Sequence, residues 1–545
     1  MSEVGAGRVS ILTQSPTCGT CDEAGAPEGK IGMRAEERKS RLVDMHSNCK
    51  SRRACLRPPR SGTVASALKI SRRTLLESTL GATALGAAAN PAGAAPGDRP
   101  NVLYIIMEDT GPQFGCYGEP LVKTPNLDRL ASQSIRFTHA YTTAPVCSAS
   151  RSALMTGCYQ TKIGAHQHRT WEWHKTALPT PTRHVAEWFR DAGYFTCNLQ
   201  PSGPNKGKGP YGAAGAGKVD LNFFLNGANK NKFFEGTDWN QRRPGQPFFA
   251  HITIIETHKG EGWNIARRQP KSELVDPDKL QLASYYPDSP IARDEYANYL
   301  DAIHLSDGYV GQVLARLEKD GLAENTIVVL SSDHGPLFRG KQFLYDGGIH
   351  LPLLIRFPDG KGAGATDDRF VSGIDYAPTL LGFAGIRPPA GAMQGQDLFG
   401  SGSRPRPHIF AARDRMDISI DKMRAVRTKQ FKYIRNYFPG TPYMQHNPYK
   451  EDSYPTWNLV KAWAREGRLT AAQGLFAALE KPIEELYDVQ ADPDEVHNLA
   501  AAPAHKNTLR ELRALVDGFV AENDARVVAE DPVDIYRGYY GADAY

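Results

Sequence analysis

The sequence predicts an α/β protein built on a large, mostly parallel sheet, with a smaller α+β part at its carboxyl end. Three observations carry this. Short apolar runs bounded by turn residues recur after Pro100, as in strands buried on both faces of a parallel sheet. Residues at helical spacing lie between them, as crossover connections require. After a stretch rich in Pro, Gly and Ser at 387–407, the pattern changes to alternation.

In chain order, Val102 to Met107 is the first apolar run. Pro145 and Gly157 then bracket a segment that favours one short helix with Cys147 at its N-terminus. Phe248 to Ile255 is the second run; Tyr296, Tyr299, Leu300, Ile303, Val310, Leu314 and Leu317 step along one helix. Thr326 to Leu330 and Pro352 to Phe357 follow as further strands. Beyond the boundary, Met423 to Tyr437 alternates basic with apolar or aromatic residues like antiparallel strands, and Leu509, Leu512, Leu515, Val516, Phe519 and Val520 mark a late helix. This predicts one domain over 98–405 and a second over 406–545, with no internal repeat.

The 545 residues carry a formal charge of +5, but residues 1–95 hold 14 basic against 8 acidic groups and the remainder 51 against 52. The positive balance therefore belongs to the leader, and nucleic acid is not an expected partner. Hydrophobic residues at 41% and charged residues at 23% exclude wholesale disorder and a polytopic membrane protein. Of the 8 cysteines, half lie in the leader, so there is no disulfide scaffold. Ser71-Arg72-Arg73-Thr74-Leu75-Leu76, an Ala- and Gly-rich run and Ala92-Gly93-Ala94-Ala95 resemble a bacterial twin-arginine signal over 69–95. The expectation is export to the periplasm or beyond, with the twin-arginine machinery as partner. Residues 1–68 lack hydrophobic periodicity and read as an unstructured extension, consistent with a start codon placed too early.

Ligands of open α/β sheets bind beyond the carboxyl ends of the strands. Here the first run ends in Glu108-Asp109, the second in Glu256-Thr257-His258 and the third in Ser331-Ser332-Asp333-His334-Gly335. Acids and imidazoles without a thiolate pair suit a hard cation, Ca²⁺ or Mg²⁺, better than structural zinc. At a helix N-terminus, Cys147 would sit where backbone N–H groups stabilise a thiolate or an oxyanion ligand, with Arg151 on the same face. An isolated cysteine is otherwise a small buried hydrophobe.

The string Cys147-Ser148-Ala149-Ser150-Arg151, continued by Leu154-Met155-Thr156-Gly157, resembles the signature of the type I sulfatases, in which the cysteine is oxidised to formylglycine. Asn101 to Asp109, Thr124-Pro125-Asn126-Leu127-Asp128-Arg129-Leu130, the Asp333-His334 pair, Lys341 with Tyr345 to Pro352, and Glu485 to Asp488 with Asp492, Pro493, Asn498 and Leu499 are similar to further family landmarks, in the family's order. The resemblance implies an alkaline-phosphatase-like α/β/α sandwich and hydrolysis of a sulfate ester or sulfamate, by analogy on a carbohydrate. It implies a hydrated formylglycine at Cys147 that attacks sulfur, and a maturation enzyme that makes it. It also implies a cation held by Glu108, Asp109, Asp333 and His334 with the side chain at 147, Arg151 on the formylglycine hydroxyl, Lys341 on the sulfate oxygens and His258 as proton donor to the leaving group.

The chain departs from the pattern in places. Glu108 replaces the first acid of the usual Asp pair, and Ala149 stands where many members have Pro, which bears on the choice of maturation enzyme. The Lys-x-His element is missing near Tyr194 to Gln200; Lys218-Val219-Asp220, after a glycine-rich insertion, offers Lys218 as its substitute. His166, His168, Arg339 and Arg413 are the expected substrate contacts. Two glycine patterns at 207–219 fail as nucleotide loops, one through Pro210 and the other through Val219 in place of Ser or Thr. A phosphate or phosphonate ester hydrolase of the same superfamily, and an inactive glycan-binding homologue, are the competing readings.

Overall fold

Asn101–Met107 forms β1, at the middle of a seven-stranded sheet. The computed structural model describes residues 99–170, 175–199, 217–224, 233–336 and 338–540. The extension, the twin-arginine segment and the glycine-rich stretch at 207–216 lie outside those residues. Among the described residues no helix is long and apolar enough to cross a membrane.

The strands after β1 are β2 (Ile135–Tyr141), β3 (Thr176–Ala177), β4 (Phe195–Leu199), β5 (Phe223–Phe224), β6 (Phe248–Ile254), β7 (Thr326–Ser332), β8 (His350–Arg356) and β9 (Thr366–Ser372). The large sheet runs β4-β6-β1-β7-β8-β2-β9, while β3 and β5 form a separate short pair. The pairs β4–β6, β6–β1, β1–β7 and β2–β9 are parallel; β8 is antiparallel to both β7 and β2 and alone opposes the other six. The four apolar runs read from the sequence are β1, β6, β7 and β8. The strands β2 and β9 carried no such run. β9 begins exposed at the sheet's edge, and both mix polar with apolar residues, so neither needed an unbroken apolar sequence.

Alternation in β1 is hidden from hydropathy because both faces are covered. Leu103, Ile105 and Met107 pack with Tyr299, Leu300, Ile303, Val310 and Leu314 of the long helix Pro290–Lys319. Val102, Tyr104 and Ile106 face the other way, against Leu154 and Met155 of the helix Cys147–Thr156 and Leu380 and Leu381 of the helix Tyr376–Phe383. This α/β/α layering is the expected one.

The second sheet is antiparallel, in the order β10 (His408–Arg413), β11 (Met423–Thr428), β12 (Phe431–Asn436), β13 (Glu484–Asp488). One face takes Leu509, Leu512 and Val516 of the helix Lys506–Asn523. The other joins Ile409, Met423 and Ile434 to Phe338, Phe343 and Tyr345, which lie just after the Asp333-His334 pair. The described residues, from 99 onward, belong to one compact unit that includes both sheets.

Candidate active site

Sheet order, rather than sequence distance, assembles the site. β6, β1 and β7 are neighbours and parallel, so their carboxyl ends open on one edge. The backbone N–H of Glu108 donates to the Ile254 carbonyl at 2.9 Å, and that of Asp109 donates to Asp333 Oδ1, 224 residues away, at 3.0 Å. Asp109 adopts a left-handed backbone, φ 49°, a strained state that this buried bond helps to hold.

Cys147 opens its helix after Val146 in extended conformation, and Gly157, at φ 68°, closes it with a bond to the Ala153 carbonyl. Every residue of the helix is buried. Its Sγ lies 3.2 Å from His334 Nε2 and 3.6 Å from both Glu108 Oε1 and Asp109 Oδ1. Burial pushes the thiol's pKa up, against the pull of Lys218 and Lys341. One turn on, Arg151 donates from Nε to Asp333 Oδ2 at 2.9 Å and from Nη1 to Thr253 Oγ1 at 3.0 Å.

The donor atoms of Asp109, Cys147, Asp333 and His334 lie within 4.8 Å of one another, as do those of Glu108, Asp109, Cys147 and His258. His334 Nδ1 meets the Gly335 carbonyl at 2.8 Å, which only accepts, so Nδ1 carries the proton and Nε2 faces Asp109 Oδ1 at 3.0 Å. Burial opposes a charge on this imidazole, yet Asp333 and Asp109 raise its pKa well above the ordinary histidine value. A divalent cation meets the same need for positive charge, and three converging carboxylates with one imidazole fit a hard ion.

Lysines surround this cluster. Lys341 Nζ donates to Asp109 Oδ2 at 2.6 Å and approaches His258 Nε2 at 3.2 Å and the Tyr449 hydroxyl at 3.4 Å. Burial would raise the Asp109 carboxyl, but Lys341, His258 and His334 hold it well below the usual range. Burial and Lys341 lower the His258 pKa, so its Nε2 is an acceptor in this arrangement. Lys218 pairs with Glu108 and lies 3.3 Å from Asp220 Oδ2. Its segment returns to the end of β4, where Asn198 Nδ2 donates to the Gly217 carbonyl at 2.6 Å. A Cβ at Gly217 would lie 2.5 Å from the Leu199 carbonyl oxygen, so only glycine allows that approach. Burial acts to raise the Asp220 carboxyl, but Lys218 and His168 bring it down to about 2.

The four expected substrate contacts are all buried and already have protein neighbours. Arg339 is buried, donates to the carbonyls of Asp494 and Glu495, and stacks 3.8 Å over Tyr345. Arg413 is buried over Phe343 and 3.5 Å from Asp421. His166 is buried near Asp414 and Arg424, neither of which belongs to the cluster. His168 is buried against Asp417, with Nδ1 to Oδ1 at 3.0 Å. Their residue types suggested a charged surface, whereas packing buries all four. The cleft that does reach the cluster, about 350 Å³, is lined by Glu108, Lys218 and His258 together with Arg169, Glu256 and Glu261. Neither Arg169 nor Tyr449 stood out in the sequence, because each comes from a segment with no motif of its own.

Comparison with known proteins agrees with the geometry. The sulfatase family profile matches residues 100–386, and the profile for the C-terminal region of N-sulphoglucosamine sulphohydrolase matches 333–452. The chain is 33% identical over 462 residues to an ulvan-active sulfatase of Formosa agariphila, covering 77% of this chain and 74% of the relative. It is 26% identical to human N-sulphoglucosamine sulphohydrolase, covering 76% of this chain and 88% of the relative. A phosphonate monoester hydrolase of Agrobacterium radiobacter shares the fold, with a TM-score of 0.54 at 18% identity over 78% of this chain and 96% of that one.

Proposed function

The chain belongs to the sulfatase family and is a sulfuric ester hydrolase; on that premise we propose that it cleaves a sulfate ester or sulfamate on a carbohydrate, with Cys147 matured to formylglycine. The observation that carries this reading is the buried Cys147, at the head of its helix and within 3.6 Å of Glu108, Asp109 and His334. The carbohydrate is supported by the relatives, one named for ulvan and one for N-sulphoglucosamine.

Formylglycine supplies a hydrated aldehyde, with one hydroxyl to attack sulfur and a second whose deprotonation releases sulfate. Glu108, Asp109, Asp333 and His334, with the side chain at 147, would hold Ca²⁺ or Mg²⁺, which would supply charge to polarise sulfate oxygens and acidify the attacking hydroxyl. The protein's own residues do the rest. Arg151 fixes the Asp333 carboxylate and neutralises acid charge beneath the nucleophile. Lys341 and Lys218 bring two ammonium groups toward the cluster, one on Asp109 and one on Glu108, to meet charge that shifts onto the sulfate oxygens. His258 lines the cleft and accepts from Lys341 at Nε2, so to serve as acid toward the leaving oxygen or nitrogen it must first take up a proton at that nitrogen.

The twin-arginine leader supports export, and Cys147 requires a formylglycine-generating partner. The test is mass spectrometry of the peptide containing residue 147, from protein made in the native host, alongside turnover of an aryl sulfate. The aldehyde and turnover are expected together. An unmodified cysteine in fully active enzyme would falsify the mechanism.

A further inference from the structure

Arg169 differs from the other cations of the site. Arg151, Lys218 and Lys341 each lie against a carboxylate of the cluster. The Arg169 side chain is exposed on the wall of the cleft, and among the described residues its guanidinium makes no hydrogen bond or ion pair. Its backbone is nevertheless held firmly. The φ of 49° is left-handed, and its N–H donates to Ser148 Oγ at 2.9 Å, the residue next to Cys147. A strained backbone tied to the nucleophile helix sets where this long side chain starts.

Cys147 is fully buried, while Arg169 lines the way in and, among the described residues, makes no hydrogen bond to the cluster. A sugar whose sulfate reaches residue 147 therefore extends along the cleft past Arg169. Of the cations that line that cleft, Lys218 is already paired with Glu108, while Glu256 and Glu261 repel an anion, which leaves the Arg169 guanidinium as its place of contact. A guanidinium presents paired donors that match the planar edge of a carboxylate or two oxygens of a sulfate.

We infer that Arg169 is the specificity residue of this enzyme, binding a second anionic substituent of the substrate, a uronate carboxylate or a further sulfate, beside the sulfate that is cleaved. The inference rests on the sulfate-ester reading above and narrows it to acidic, sulfated sugars.

Steady-state kinetics on three disaccharides with the same scissile sulfate test it: one with a uronate on the neighbouring sugar, the same compound with that carboxyl reduced to the alcohol, and one with a second sulfate there. The wild type is expected to favour at least one acidic compound over the reduced one by about tenfold or more in kcat/KM. Arg169→Ala should collapse that ratio through KM, and Arg169→Lys should keep part of it, with thermal midpoints unchanged. Preference for the uronate or for the second sulfate identifies which anion is bound, and either supports the inference. An equal ratio in wild type and Arg169→Ala, or an equal loss on all three compounds, overturns it while leaving sulfate hydrolysis standing. A wild type that hydrolyses none of the three overturns both readings.

Discussion

Two regions of this protein bury dense charge, and they do so to different ends. In the carboxyl-terminal sheet, Lys432 Nζ is buried 2.5 Å from Asp346 Oδ1 and 2.7 Å from Glu495 Oε1, and Asp346 is also met by Arg427 at 3.1 Å. Nearby, Glu485 accepts from the hydroxyls of Tyr345, Tyr443 and Tyr487 and from Asn436 Nδ2. Each charge there is answered by protein. At the edge of the large sheet, Glu108 and Asp333 instead each come together with Asp109 and Cys147, and their lysines and arginine stand around the outside. Buried charge alone is therefore no mark of a site, whereas like charges aimed at one point are, because only a further ion or substrate completes them.

The strongest way to sharpen this contrast is at residue 147. Cys147→Ala should lower turnover by at least about three orders of magnitude with the thermal midpoint nearly kept; wild-type rates in the variant would remove Cys147 from the chemistry. Next, Asp333→Ala should lose Ca²⁺ binding and activity together. Chelation of the wild type should have the same effect, with activity restored and the thermal midpoint raised on adding Ca²⁺ back. A variant that keeps both properties shows that the ligand set is wrong. The closed cluster should respond oppositely: Lys432→Met should destabilise by about 3–5 kcal/mol, since two carboxylates lose a buried partner, while the folded fraction still binds Ca²⁺ normally. Denaturant unfolding with a metal titration measures both, and loss of metal binding in folded Lys432→Met breaks the comparison.

The smallest effect concerns Lys450, buried 4.2 Å over the Tyr454 ring. Burial first, and then Lys341, push its pKa down to about 7. An unfolded lysine titrates near about 10.4, so the unfolded chain binds more protons between those values and the stability of the wild type rises with pH across that window. Lys450→Met removes this term, so its gain in thermal midpoint over wild type should be larger at pH 6 than at pH 9. An equal gain at both would mean that the lysine is not depressed.

The Glu485-Leu-Tyr-Asp488 hallmark was legible in sequence, yet its role was not. The structure makes Glu485 an acceptor for three tyrosines, and Asn498 Oδ1 accepts from the Leu486 N–H at 2.9 Å. Both are fold-holding contacts of the second sheet.

By itself the sequence determined the α/β class, the strands β1, β6, β7 and β8, the helix that begins at Cys147, and the acids and imidazoles that follow three of the strands. Those follow from local facts: the period of a strand or helix, the punctuation by Pro and Gly, and the chemistry of carboxylate and imidazole. Tertiary structure alone decided which charges meet. Asp109 reaches Lys341 across 232 residues and Glu108 reaches Lys218 across 110, because the sheet places β4, β6, β1 and β7 side by side. It also decided that Arg339 and Arg413 are buried and Arg169 is exposed, since an arginine's sequence carries its charge but only packing sets what surrounds it.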